Sequence, residues 1–324
     1  MTAVAAVTDD ASGRCYGAAM FLSLGLPTHL VEAGADLISA DAVMEMSRAA
    51  ESAGFDAVFT TDHPFPDDRW LAHGGHHTLD PMVTLSFAAA ATTRLRLHTN
   101  LFVPAYRNPY VSAKMISSLD ALSGGRVILG VGAGYLEPEF AALGADYANR
   151  NDVLDDALRA MRAAWTGESV AGNTMRPRPA QARIPVWVGG NSRRAIRRVV
   201  DLCDGWLPMP APAGAAKHLK TPGLETLAEL TARLDYAREY AASVGRTEPI
   251  QVTFMPRGMN MFDGDAIDHE AIVADLTEQA EAGVTGVTVT LPAGTRAQYL
   301  EQVAGFAELV VPRVKRLRVR PLLG

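Results

Sequence analysis

The chain is poor in cysteine and carries no excess of positive charge. Cys15 and Cys203 are its two cysteines in 324 residues, too few for a disulfide framework and without metal-ligand spacing. Its 30 Lys and Arg are outnumbered by 36 Asp and Glu, for a formal net charge of −6 and an isoelectric point near 5.8. No basic cluster is interleaved with aromatics, so a nucleic-acid surface is not expected. Long apolar runs are missing as well: no window reaches bilayer-spanning length without charges. The first residues lack the basic start and apolar run of a secretory signal and carry Asp9-Asp10 instead. There is no Gly-x-Ser-x-Gly elbow, and neither cysteine stands beside a histidine as a nucleophile would. These absences leave a soluble protein, expected in a reducing cytoplasm, whose partners are small molecules.

Residues 1–17 read as a mobile leader and 18–324 as one domain, a length that barrels built from βα units routinely reach. Strand-like apolar runs lie at 18–26, 57–61, 95–103, 127–131, 184–188, 205–208, 250–255 and 286–291. They alternate with helical patterns near 40–53, 81–92, 109–122, 151–165, 192–202, 224–243, 269–281 and 295–313. Eight of each predicts an α/β protein with a single closed (β/α)8 TIM barrel rather than an open sheet. Ser52-Ala53-Gly54-Phe55-Asp56-Ala57-Val58 and Glu281-Ala282-Gly283-Val284-Thr285-Gly286-Val287 repeat one unit, with a glycine just past a helix leading into a strand. Asp80-Pro81 and Asn108-Pro109 each place a capping side chain before a proline at a helix start. Of the irregular stretches, 64–79 and 209–221 follow strands and are predicted pocket walls. The third, 166–183, follows a helix, although an insertion of that length can fold over the mouth.

Ile184-Pro185-Val186-Trp187-Val188-Gly189-Gly190-Asn191-Ser192 carries the clearest chemical signal. An apolar strand ends in two glycines and two capping residues, a turn whose free N–H groups and following helix dipole suit a phosphate. Arg193 and Arg194 follow, where the dipole disfavours cations unless an anion is bound; the plain reading is a capped helix with a solvated basic face. Strand two runs into Asp62-His63, an ionisable pair where barrel enzymes place catalytic groups, or else a capping aspartate with a polar neighbour. Strand three ends in His98-Thr99-Asn100-Leu101, a ligand-facing end or a polar bend. Strand four ends in Gly130-Val131-Gly132-Ala133-Gly134-Tyr135, which permits close approach of a flat or anionic ligand but opens no long helix, as a dinucleotide fingerprint must. His73, His76 and His77 cluster in the first wall without a fixed third or fourth ligand, so no metal is expected there. Asp67-Asp68 and Asp155-Asp156 read as solvated faces.

In order and spacing, several of these blocks resemble the bacterial luciferase-like superfamily, in its branch of coenzyme F420-dependent oxidoreductases. They are Ala53 to Val58 leading to Asp62-His63, Tyr106-Arg107-Asn108-Pro109, Leu119-Asp120 with Ser123-Gly124-Gly125-Arg126, Leu129 to Tyr135, Ile184 to Ser192, and Asp204-Gly205-Trp206. The resemblance covers roughly Gly17 to Trp206. It implies a barrel that holds a deazaflavin or flavin across its mouth, commonly as a homodimer. It matches Gly189, Gly190, Asn191 and Ser192 to the cofactor phosphate site, and Asn100-Leu101 to a cis peptide bulge behind the ring. Gly132, Ala133 and Gly134 would line the cofactor, and Asp62 would lie near the ring. His63 would handle the proton, with Tyr135 as a second donor. The chain departs from the sugar-phosphate dehydrogenases of that branch: their acid falls at Tyr135 here and their tryptophan at Asp67, with Trp70 nearby, so that substrate class is not implied. The expected activity is hydride transfer between F420 and a small organic substrate. The rivals are an FMN-dependent monooxygenase using O2 and a non-catalytic flavin-binding barrel.

Overall fold

The computed structural model describes residues 19–257, 259, 267–319 and 321–323, together with the backbone of 8–9 and 15–16. Apart from a ribbon pairing Thr8–Asp9 with Cys15–Tyr16, the leader expected over 1–17 lies outside the described residues.

The strands are β1 (Phe21–Gly25), β2 (Ala57–Thr60), β3 (Arg96–Thr99), β4 (Val127–Val131), β5 (Val186–Gly189), β6 (Gly205–Leu207), β7 (Gln251–Phe254) and β8 (Gly286–Val289). Each pairs in parallel with its sequence neighbour, and β8 returns to β1 to close the barrel. The helices between them are α1 (Ala40–Ser52), α2 (Pro81–Ala91), α3 (Pro109–Leu122), α4 (Arg150–Thr166), α5 (Arg193–Leu202), α6 (Leu227–Ser243), α7 (His269–Ala282) and α8 (Arg296–Leu309). Every predicted strand and helix is present. The helix predicted over 295–313 breaks at Val310, and a separate turn, Val311–Val314, follows, because Pro312 has no N–H with which to continue α8. Asp80 and Asn108 cap α2 and α3, accepting the Met82 and Tyr110 N–H groups at 2.9 Å each.

Strand alternation divides the apolar residues into two sets. Leu22, Leu24, Val58, Leu97, Leu129, Val188, Val252 and Val287 pack outward into the layer under the helices. Ile128, Trp187 and Leu207 form a separate inner cluster with Phe21 and Leu101. Polar side chains share this lumen: buried His98 sits 3.1 Å from the Ser23 hydroxyl through Nδ1 and packs edge-on to Trp187 at 5.0 Å. Burial pushes its pKa down to about 3, so it is a neutral lumen residue. β3 stops at Thr99, short of the predicted end; the Asn100–Leu101 peptide that follows is cis, and Phe102 rejoins the sheet by a bridge to Val131. Among the described residues no helix is long and apolar enough to cross a membrane.

Candidate active site

A cavity of about 420 Å³ opens where the strands end, lined by residues that follow β2, β3, β4, β5, β6 and β7. This is the C-terminal mouth, where a parallel barrel gathers loops from separate strands. His63, Tyr135, Asp62, Asn100, Leu101, Gly132, Ala133, Gly134, Gly189, Gly190 and Ser192 all line it, whereas Asn191 does not.

Asp62 and His63 are neighbours in sequence with different partners. The Asp62 carboxylate is buried and takes a forked pair of bonds from Arg107, at 2.7 and 2.8 Å, and the Val103 N–H at 2.9 Å. Burial pushes this carboxyl up, while the guanidinium and the N–H pull the other way. Its oxygens are thus engaged in clamping the β2 and β3 loops together, and Arg107 also lies 4.5 Å over the Phe102 ring. His63 turns to another acid: its Nδ1 lies 3.2 Å from Oε2 of Glu139, a side chain with no solvent exposure. Glu139 accepts two further hydrogen bonds, from the Tyr106 hydroxyl at 2.8 Å and the Phe65 N–H at 3.0 Å. These donors outweigh the burial penalty and hold its carboxyl below the ordinary range.

Sequence reasoning missed Glu139. It sits in the first turn of a short helix, Glu137–Ala142, where the dipole favours an acid. That first-turn position was a readable signal; its partner, 76 residues away, was not.

Around His63 stand Trp70 at 4.6 Å, His76 at 5.2 Å and Tyr135 at 5.9 Å between ring centroids. Burial and the nearby Glu139 raise the Tyr135 hydroxyl pKa, so it stays protonated as a donor. The loop 64–79 is therefore a cavity wall as predicted, and Trp70 packs on the histidine although Asp67 is the aligned position. His76 enters the cavity with it, while His73 and His77 are exposed.

The turn after β5 is braced from three directions. The Gly190 carbonyl accepts from Trp206 Nε1 at 2.9 Å, and the Asn191 N–H donates to the Thr221 hydroxyl at 2.9 Å. The Asn191 amide donates to the carbonyls of Met209 and Pro222 and accepts the Met209 N–H, at 2.9 to 3.1 Å. Its side chain positions the second predicted wall, 209–221, and the Pro222 that follows it. Ser192 caps α5 by accepting the Ala195 N–H at 3.1 Å. The arginines that follow have protein partners: Arg194 meets Asp152 and Asp155, and Arg193 lies 5.0 Å over the Tyr236 ring. Their sequence position therefore says nothing about a phosphate. Arg198, one helical turn on and buried, lines the cavity and is held by Asp155 and the Asn151 carbonyl. The stretch 166–183 does not reach the mouth. It packs along α3, where Gln181 bonds Asp120 and the Val127 carbonyl at the start of β4.

The cavity fits a flat cofactor with an anionic tail. A Cβ at Gly189 would lie 2.3 Å from Leu101 Cδ1, and one at Gly132 3.1 Å, so bare backbone is what lets the β3 bulge sit between the β4 and β5 turns. The Thr253 hydroxyl on the cavity wall has no partner among the described residues. Arg150, Arg198 and Lys220 supply cations.

The model of the luciferase-like monooxygenase family matches residues 19–302. A protein of Mycobacterium tuberculosis without assigned function is 30% identical over 288 residues, covering 80% of this chain and 91% of its own. The F420-dependent glucose-6-phosphate dehydrogenase of Beutenbergia cavernae is 29% identical over 317 residues, covering 82% of this chain and 91% of its own. The solved structure of monooxygenase RslO1 from Streptomyces bottropensis shares the fold, with a TM-score of 0.72 at 19% identity over 90% of this chain and 99% of its own.

Proposed function

Because the chain belongs to the luciferase-like monooxygenase family, we propose that it is an oxidoreductase that uses coenzyme F420 and exchanges a hydride with a small organic substrate. The observation that carries this reading is that His63, paired with the buried Glu139, lines the same cavity as the glycine turns. When bound, the deazaflavin supplies the hydride-accepting and hydride-donating ring carbon. Gly132, Ala133 and Gly134 with Asn100 and Leu101 hold its ring, and Gly189, Gly190 and Ser192 with Arg198 hold its phosphate. Asp62 and Asn191 act at one remove, fixing the loops that carry these groups.

The protein's own chemistry is proton handling and exclusion of water. In alcohol oxidation His63 takes the hydroxyl proton, and the buried Glu139 carboxylate offsets the charge gained. In the reverse direction His63 returns that proton to the carbonyl oxygen. Tyr135 is the second donor. The sugar phosphate of the dehydrogenase relative is not carried over, since Tyr135 stands where that class has an acid. A homodimer is part of the reading, formed through the outward faces of α2 and α3.

The same glycine cradle accommodates FMN, so the test is a titration of the apo-protein with oxidised F420 and with FMN, followed by fluorescence quenching. Selective F420 binding supports hydride transfer, FMN preference points to the oxygen-using monooxygenase, and binding of neither sinks the cofactor assignment. Tight binding with no turnover of any candidate substrate favours a non-catalytic flavin-binding barrel.

A further inference from the structure

The turn after β5 is flanked by two cations that no acid neutralises. Other arginines near the mouth have carboxylate partners: Arg107 meets Asp62, Arg194 meets Asp152 and Asp155, and Arg198 meets Asp155. Arg150 and Lys220 line the same cavity, yet neither forms an ion pair with a carboxylate among the described residues. Asp152, two positions beyond Arg150, is engaged by Arg194 instead. In a chain of net charge −6, two such cations on one cavity make a local attraction for anions.

Each cation is tied to that turn through its sequence neighbours. Lys220 precedes Thr221, whose hydroxyl accepts the Asn191 N–H at 2.9 Å, and Pro222, whose carbonyl accepts from the Asn191 amide at 3.0 Å. Its own side chain is exposed at the cavity rim. Arg150 precedes Asn151, whose carbonyl accepts from Arg198 of α5 at 3.0 Å. Arg150 donates through Nε to the Gly134 carbonyl at 3.2 Å and through Nη1 to the Tyr147 carbonyl at 2.9 Å, with its guanidinium 4.1 Å over the Tyr147 ring. These contacts fix the guanidinium in place without bringing a negative charge to it.

We propose that Lys220 and Arg150 select F420 over FMN by binding the carboxylates of its glutamate tail. This rests on the F420 reading of the site. FMN ends at its phosphate, which the backbone of Gly189 to Ser192 and Arg198 can serve alone. In F420 the phosphate is a diester, and the chain runs on through lactate into glutamates that each bring a carboxylate. That anion is longer than the turn. Lys220, after β6, and Arg150, after β4, stand on either side of the β5 turn, so an anionic chain that leaves the turn meets one or both of them.

The probes are oxidised F420 with its full glutamate tail and the form that ends at the lactyl carboxylate, each titrated into the full chain and followed by fluorescence quenching. The deazaflavin alcohol without phosphate or tail reports ring binding alone. Wild type is expected to bind the tailed form at least about fivefold more tightly at low salt, the worth of one or two exposed ion pairs. That preference should shrink as salt rises to about 0.5 M. Lys220 has a left-handed backbone, φ 50°, which asparagine tolerates, so Lys220→Asn removes the charge without straining the loop. Combined with Arg150→Gln it should bring the two affinities together, whereas Lys220→Arg should keep the preference. Equal binding of the two forms by wild type, a preference that salt does not weaken, or full preference in the double variant overturns the proposal while the cofactor reading stands. Binding of none of the three deazaflavins, or tighter binding of FMN than of tailed F420, overturns the cofactor reading and the proposal with it.

Discussion

His63 finds its charged partner outside its own motif. Asp62 is its sequence neighbour, yet Arg107 occupies both of that carboxylate's oxygens, and Glu139 supplies the charge. His63→Ala is expected to lower turnover by about 10²- to 10⁴-fold with F420 still bound, the range over which a positioned acid–base group contributes. Unchanged turnover in that variant rejects the proton role. Glu139→Gln keeps the shape and removes the compensating charge, so turnover should fall by on the order of tenfold or more while F420 affinity holds. Stability should also decline in acid. His76 and His98 hold folded-state pKa values of about 4 and about 3. In the unfolded chain they titrate near 6.5, so the unfolded state binds protons first and the folded state loses ground from about pH 6.5 downward. Glu139, depressed in the folded state, adds to this: its contribution is complete above the ordinary range near 4.3 and is lost as pH falls through its lower folded value. A urea midpoint that stays level between about pH 7 and about pH 4.5 would contradict this.

Among the elements, the turn after β5 and the loop 209–224 act as one unit through Asn191. Its three side-chain hydrogen bonds are buried with it, at 2% exposure. Asn191→Ala should cost about 1–3 kcal/mol by leaving the Met209 and Pro222 groups unpaired. Faster proteolytic nicking within 209–224 and weaker F420 binding are the expected readouts; a loop as resistant as wild type would remove Asn191 from this role. The caps of α2, α3 and α5 were legible because they act within a few residues. The stretch 166–183 was not, because its hydrogen bonds to Asp120 and Val127 span more than 50 residues.

The whole molecule exposes apolar side chains on two adjacent helices: Val83 (59%) and Phe87 (40%) on α2, with Tyr110 (45%), Val111 (56%) and Leu122 (87%) on α3. The homodimer proposed above would place a second copy over this face. The chain should sediment as a dimer, and Val83→Glu with Val111→Glu should move it toward the monomer with the barrel's circular dichroism unchanged. A monomeric wild type at micromolar concentration would leave the homodimer without support.

By itself the sequence determined the barrel, since helix and strand periods, caps and breakers act over a few residues and eight repeats of one unit leave little other closure. It also marked the cavity's glycine turns, because bare backbone is visible in composition. Only the tertiary structure decided which charges meet. Asp62 with Arg107, His63 with Glu139 and the His76 ring over His63 are contacts between loops that the closed sheet brings to one mouth, and no local spacing specifies which side chain a loop presents to its neighbour.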